Sequence, residues 1–80
     1  MKIVWDEPKR LANLERHGLD FRDLTVEFFM SSLVRPAKQG RFQVIGRLRG
    51  VISVVFARLG TEGVSVSSMR QASAGERRLI

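Results

Sequence analysis

This sequence predicts an α+β fold: a small, mainly antiparallel sheet with two N-terminal helices packed on one face and a short C-terminal helix, in the order β-α-α-β-β-β-α. Three observations carry that reading. The run Val51-Ile52-Ser53-Val54-Val55-Phe56-Ala57 is short, apolar and β-branched, the pattern of a strand buried on both faces. Two amphipathic stripes precede it, Leu11 with Leu14, then Phe21, Leu24, Thr25 and Phe28, and both need a sheet to cover. A weakly alternating segment from Val64 to Arg70 follows it, ahead of a helix-start signal at Ser73.

In chain order, Lys2 to Trp5 reads as an edge strand that stops where Asp6-Glu7-Pro8 opens a helix, since proline suits a first turn and acidic side chains favour the positive end of a helix dipole. That helix should run from Glu7 to His17 and close at Gly18 as a left-handed cap. Its polar face would carry Lys9, Asn13, Arg16 and His17, and Trp5 would anchor it to the sheet edge. Asp20 is placed to cap the second helix. From Met30 to Gly40 periodicity is lost, which reads as a loop with room for a short strand at Leu33 to Arg35.

Arg41 to Leu48 should pair with the 51–57 strand through a two-residue Arg49-Gly50 turn, setting Leu48 against Val51, Val44 against Val55 and Phe42 against Ala57 on the helix-covered face. The opposite face would then show Ile45, Val54 and Phe56, with Arg47 near the hairpin end and Arg41 facing Arg58. Like charges so opposed attract an anion between them. After a glycine-containing connection, Leu59 to Gly63, the next strand would put Val64, Val66, Ser68 and Arg70 on one face. Ser73 with Glu76 has capping-box spacing for the last helix.

Eighty residues, without an internal repeat or low-complexity tract, read as a single domain over 1–80, and such a chain buries only about 60% of the surface its unfolded form exposes. The balance of 14 Lys and Arg against 8 Asp and Glu, net charge +6, favours a polyanion or an acidic protein as partner. Absence of cysteine excludes disulfides, thiolate metal sites and cysteine nucleophiles. No apolar run approaches the roughly 20 residues of a membrane span and Met1 to Asp6 has no signal-peptide core, so no membrane partner and a cytoplasmic location are expected.

Trp5-Asp6-Glu7-Pro8-Lys9 with Asn13, His17-Gly18 and Phe21, then Arg41-Phe42, Val44-Ile45-Gly46-Arg47-Leu48, Ser68, Arg70, Ala72-Ser73 and Glu76-Arg77-Arg78, resembles the BrnT family of toxins from bacterial type II toxin-antitoxin pairs. The resemblance spans nearly the whole chain. It implies a RelE-like fold, an RNA-cleaving toxin acting without metal, and a BrnA-type antitoxin that neutralises it and binds operator DNA, with a homodimer or a heterotetramer with the antitoxin as the assemblies to consider. The chain departs from the family pattern at Lys38-Gln39-Gly40, where acidic residues are usual, at Ser65, usually arginine, and at Ile80, usually aromatic. A catalytically weak module that binds nucleic acid or antitoxin within a repressor complex is the competing reading.

Cleaving RNA through its own 2′-hydroxyl needs a proton acceptor, cations for the phosphorane and a proton donor for the leaving 5′-oxygen. Arg41 and Arg70 stand at family-matched positions and read as phosphate binders and transition-state stabilisers, or else as solvated arginines or antitoxin contacts; alanine at either should leave stability unchanged. His17, the one histidine, is of the residue type that exchanges protons near neutrality, and equally suits the C-terminus of a helix. Lys9, Arg47 and Arg58 are candidate RNA contacts and Phe56 a candidate base-stacking ring. Glu76 reads as a base or simply as the capping-box acid. Neither a metal cluster nor a phosphate-binding glycine loop is present, so no cofactor is expected.

Overall fold

Val51–Leu59 (β4) is the middle strand of a five-stranded sheet in the computed structural model, which describes residues 1–80. Its neighbours are Phe42–Arg47 (β3) and Gly63–Gln71 (β5), with Leu33–Pro36 (β2) and Lys2–Trp5 (β1) at the edges, giving the order β1-β5-β4-β3-β2. The β1 strand runs parallel to β5 and all other pairs are antiparallel, so the sheet is mixed. Three helices complete the α+β fold: Glu7–His17 (α1), Val26–Ser31 (α2) and Ala74–Arg77 (α3).

The hairpin register differs from expectation by one residue. Pairing ends at Arg47 opposite Val51, and Leu48, Arg49 and Gly50 form a three-residue loop in which Arg49 and Gly50 both take positive φ, 49° and 110°. Val44 therefore faces Val54, and Phe42 faces Phe56. Because side chains alternate, a one-residue slip exchanges the faces of a whole strand. Val54 and Phe56 join the helix-covered core, while Val55 turns to the other side, and Arg58 lies over the Phe42 ring, 5.0 Å from its centroid, instead of facing Arg41.

One helix becomes two turns. Asp20 accepts a bond from the Arg22 N–H and caps a 3₁₀ turn, Phe21–Asp23; Leu24 is then extended, and Thr25 caps α2 through the Phe28 N–H at 3.1 Å. A threonine whose hydroxyl competes for backbone donors starts a new helix more readily than it continues one. The core this segment supplies is nevertheless the expected one, with Phe21, Leu24, Phe28 and Phe29 packed on Val44, Ile52, Val54, Phe56, Val64, Val66 and Met69. Gly46 admits the close approach of α2, since a β-carbon there would strike the Ser32 side chain and the Phe28 ring.

The α1 helix has its predicted bounds and its Gly18 cap at φ 69°, but it buries Arg10 and Asn13 and leaves Leu11 exposed. Asn13 reaches the edge of β5 beyond Val66, the last residue paired with β1, and there its side chain accepts from the Met69 N–H (3.0 Å) and donates to the Met69 carbonyl (2.9 Å) and the Leu19 carbonyl (3.2 Å). A single amide thus continues the ladder where β1 ends. Arg10 donates to Glu7 and Asp20, and Trp5 donates to Glu7 at 3.0 Å while its ring meets Phe21 edge-on, which fixes the start of α1 against the core.

Strand β5 carries one further departure. Val55 pairs with Ser68 but Phe56 with Val66, so Ser67 is an extra residue, a β-bulge. Alternation restarts after it: Met69 enters the core with Val64 and Val66, and Ser68 and Arg70 turn to the opposite face.

Replacing Asn13 by alanine is expected to lower the unfolding free energy by about 2 kcal/mol, because the buried Met69 backbone groups lose both partners. In thermal melts this appears as a fall in Tm on the order of 10 °C, at about 4–8 °C per kcal/mol for a domain this size. Leu11→Ala, at an exposed position, should stay within about 0.5 kcal/mol of the parent.

Candidate functional site

The face of the sheet away from α2 collects polar groups from four elements. Gln43 comes from β3, Ser53 from the middle of β4, Arg70 from β5 just past the bulge, and Glu76 from α3, which folds back because the Ala72 N–H bonds to the Val51 carbonyl at 3.0 Å. The predicted capping box is present: the Glu76 N–H donates to Ser73 Oγ (3.1 Å) and the Ser73 N–H to Glu76 Oε1 (2.9 Å). That reciprocal pair orients the Glu76 carboxylate toward the sheet.

There Arg70 meets it two-pronged, Nη1 to Oε1 at 2.8 Å and Nη2 to Oε2 at 2.9 Å. Gln43 Nε2 donates to Glu76 Oε2 and to Ser53 Oγ, both at 2.7 Å, while its carbonyl accepts from Arg35 Nε at 2.7 Å. The chain Arg35–Gln43–Glu76–Arg70 is internally consistent, every buried donor facing an acceptor, and leaves no buried side-chain polar atom unpaired.

Arg70 above all, then the Ser73 N–H and Gln43, holds Glu76 down to a pKa of about 2 against the opposing effect of burial. Glu76 is therefore a carboxylate at any physiological pH with both oxygens occupied, which suits it to positioning a guanidinium and not to taking a proton. Arg70, raised above its usual value by the same bond, stays a cation. It also donates from Nη1 to the Gln71 carbonyl at 3.1 Å, so on a side chain that is 43% exposed the Nε–H and one Nη2–H have no partner within the protein.

The other candidates are dispersed. Arg41 precedes β3 at the far end of this region and donates to Gln39 Oε1 at 2.8 Å, with Gln39 itself at φ 60°. Arg47 is exposed at the hairpin end, opposite Val51. Phe56 is 4% exposed, stacked on Phe42 and edge-on to Phe29, so its ring belongs to the core and has no surface to offer a base. Arg58 lies on the helix side, bordering an apolar groove with Met30, Val34 and Lys2. Lys9 and His17 share a smaller groove of about 200 Å³ with Ser67 and Ser68 of the bulge. No three His, Cys, Asp or Glu side chains converge to hold a metal.

Sequence reasoning missed Arg35, Gln43 and Ser53. The signal was there for two of them, as lone polar residues inside apolar strand runs, which a sheet tolerates only where they find partners. Arg35 carried no such mark, since its contact with Gln43 follows from a strand pairing the loop-like segment 30–40 concealed.

A family model described as the ribonuclease toxin BrnT of type II toxin-antitoxin systems matches residues 5–76. Among solved structures, the crystal structure of the Brucella abortus ribonuclease toxin BrnT is 52% identical, with a TM-score of 0.86 over 91% of this chain and 97% of that one. No curated protein matches significantly.

Because Glu76 has a folded pKa below its ordinary value of 4.5, its stabilising contribution is complete above that value and is lost as pH falls toward about 2. Tm should be flat at neutral pH and drop below about pH 4.5, with Glu7, also held at about 2 by Arg10 and then Trp5, adding to the fall. Glu76→Gln, which keeps shape but not charge, should lose about 2 kcal/mol at pH 7 and show a shallower acid limb in the same titration.

Proposed function

We propose, from the premise that this chain belongs to the BrnT family of type II ribonuclease toxins, that it is a cytoplasmic, single-domain endoribonuclease of RelE-like fold. It would cut RNA without metal and be neutralised by a BrnA-type antitoxin that binds operator DNA. The observation that carries the activity is the Arg70–Glu76 pair: a half-exposed guanidinium fixed by a buried carboxylate, with two N–H donors that no protein group takes up.

Attack of the 2′-oxygen on phosphorus forms the new P–O bond as the bond to the 5′-oxygen breaks, giving a 2′,3′-cyclic phosphate and a free 5′-hydroxyl. Negative charge grows on the non-bridging oxygens. A guanidinium already oriented by Glu76 stabilises that charge without reorganising during the reaction. Arg41 and Arg47 border the same region and supply further charge for the phosphate backbone. His17, at the C-terminus of α1, is the proton carrier in this scheme. It shares a groove with Ser68, which lies two residues from Arg70 on the same strand face.

One observation favours the non-catalytic alternative. The only carboxylate at Arg70 is saturated by donors, and the positions where the family usually has further charge hold Gln39, Gly40 and Ser65. Turnover separates the two readings: purified protein that cleaves RNA in EDTA and leaves cyclic-phosphate ends is a nuclease, and RNA left intact by excess protein makes it a binding module.

Arg70→Ala should lower single-turnover cleavage at saturating RNA by about 100-fold or more. Contrary to the expectation from sequence, it should also cost stability, since it strands the Glu76 carboxylate. Arg70→Lys keeps the charge and most of the stability but loses the two-pronged geometry, so only part of the rate should return. Arg41→Ala, which removes a side chain hydrogen-bonded only to Gln39, should leave Tm unchanged and raise the RNA concentration needed for half-maximal rate.

A further inference from the structure

Three basic residues on α1 have no use in the fold. Lys9, Arg16 and His17 are exposed, belong to none of the ion pairs and to none of the side-chain hydrogen bonds, whereas Arg10, Arg22, Arg49 and Arg70 are all paired. Helical spacing brings positions 9, 13, 16 and 17 to one side of α1, and Asn13 ties that side to β5 through Met69. The facing wall is the bulge, with Ser67 and Ser68 at the groove. No carboxylate lines it.

We propose that this groove is a second phosphate subsite, which holds the phosphate next to the scissile one on a single strand of RNA. It rests on the ribonuclease reading only in placing the scissile phosphate at Arg70. Two features of the geometry support it. Ser68 and Arg70 stand on the same face of β5, about 7 Å apart along the strand, so a backbone crossing Arg70 continues over Ser68 into the groove. The groove also joins two exposed cationic side chains to neutral hydroxyl donors, which binds phosphate oxygens without reading bases and gives affinity and register in place of sequence preference. Lys9 and Arg16 supply the charge, Ser67 and Ser68 the short donors, and Asn13 holds the two walls together.

Binding and cleavage test it separately. A fluorescent 2′-O-methyl RNA pentanucleotide lacks the attacking hydroxyl and reports binding alone, by anisotropy across a salt series. Each phosphate contact on a single strand contributes about 0.7 to the slope of log affinity against log salt. Lys9→Ala/Arg16→Ala should reduce that slope by about 1.4. A control with the same charge loss, Arg22→Ala/Arg49→Ala, should change it by less than half as much. In cleavage, the parent should prefer the corresponding all-ribose pentanucleotide to a dinucleotide in kcat/KM, and the Lys9/Arg16 variant should lose that preference, its kcat/KM falling far more on the pentanucleotide than on the dinucleotide. The proposal is overturned if the Lys9/Arg16 variant matches the control in slope, or if it slows both substrates equally. A parent that cuts nothing yet shows the slope change keeps the subsite and refutes the nuclease, and a parent that cuts with an unchanged slope does the reverse.

Discussion

One extra residue in β5 decides what the open face of the sheet contains. Without Ser67 out of register, strict alternation from Val64 and Val66 would carry Ser68 and Arg70 into the core and send Met69 to the surface. Burying an arginine there is prohibitive and exposing the methionine forfeits core packing, so the bulge is required by the sequence on either side of it. It also falls where β1 ends, and the Asn13 amide, by replacing the missing strand at Met69, holds the bulged segment in place. Bulges at such positions re-aim side chains. Here the side chain re-aimed is Arg70.

Glu76 ties the docking of α3 to the position of Arg70. A four-residue helix such as α3 is far below the length that holds itself in water. It stays because Ser73 and Glu76 cap each other and because the carboxylate reaches Arg70 and Gln43 across two strands. The same bonds that dock the chain's end hold the Arg70 guanidinium in place. Desolvating a carboxylate costs several kcal/mol, repaid only when its oxygens are well satisfied, as they are here. Tuning Glu76 toward proton transfer would therefore loosen α3 as well as the site.

Legibility followed the range of the physics. The bounds of α1, its glycine cap and the Ser73–Glu76 box are local events among neighbours in sequence, and each stands where its residues indicate. The central strand was legible from β-branched content alone. What sequence concealed depended on contacts distant in the chain. Pairing in the hairpin ends one residue early, at Arg47 opposite Val51, and leaves Leu48 in the loop with Arg49 and Gly50. That slip moved Phe56 and Arg58 off the face assigned to RNA. Asn13 looked like a surface residue because its partner lies 56 residues away. The bulge did leave a trace: the apolar positions fall at 64, 66 and 69, and the period breaks at Ser67-Ser68.

In the function proposed above, RNA lies on the face the bulge creates, with Arg70 at its centre. Amide chemical shifts of isotope-labelled protein, titrated with a 2′-O-methyl oligonucleotide, test it most directly. The largest changes are expected at Ser53, Ser68, Arg70, Gln71 and Glu76, with little movement at Met30, Val34 and Gly60 on the helix side. Changes concentrated around Met30, Val34 and Arg58, with Arg70 and Glu76 unmoved, would contradict it.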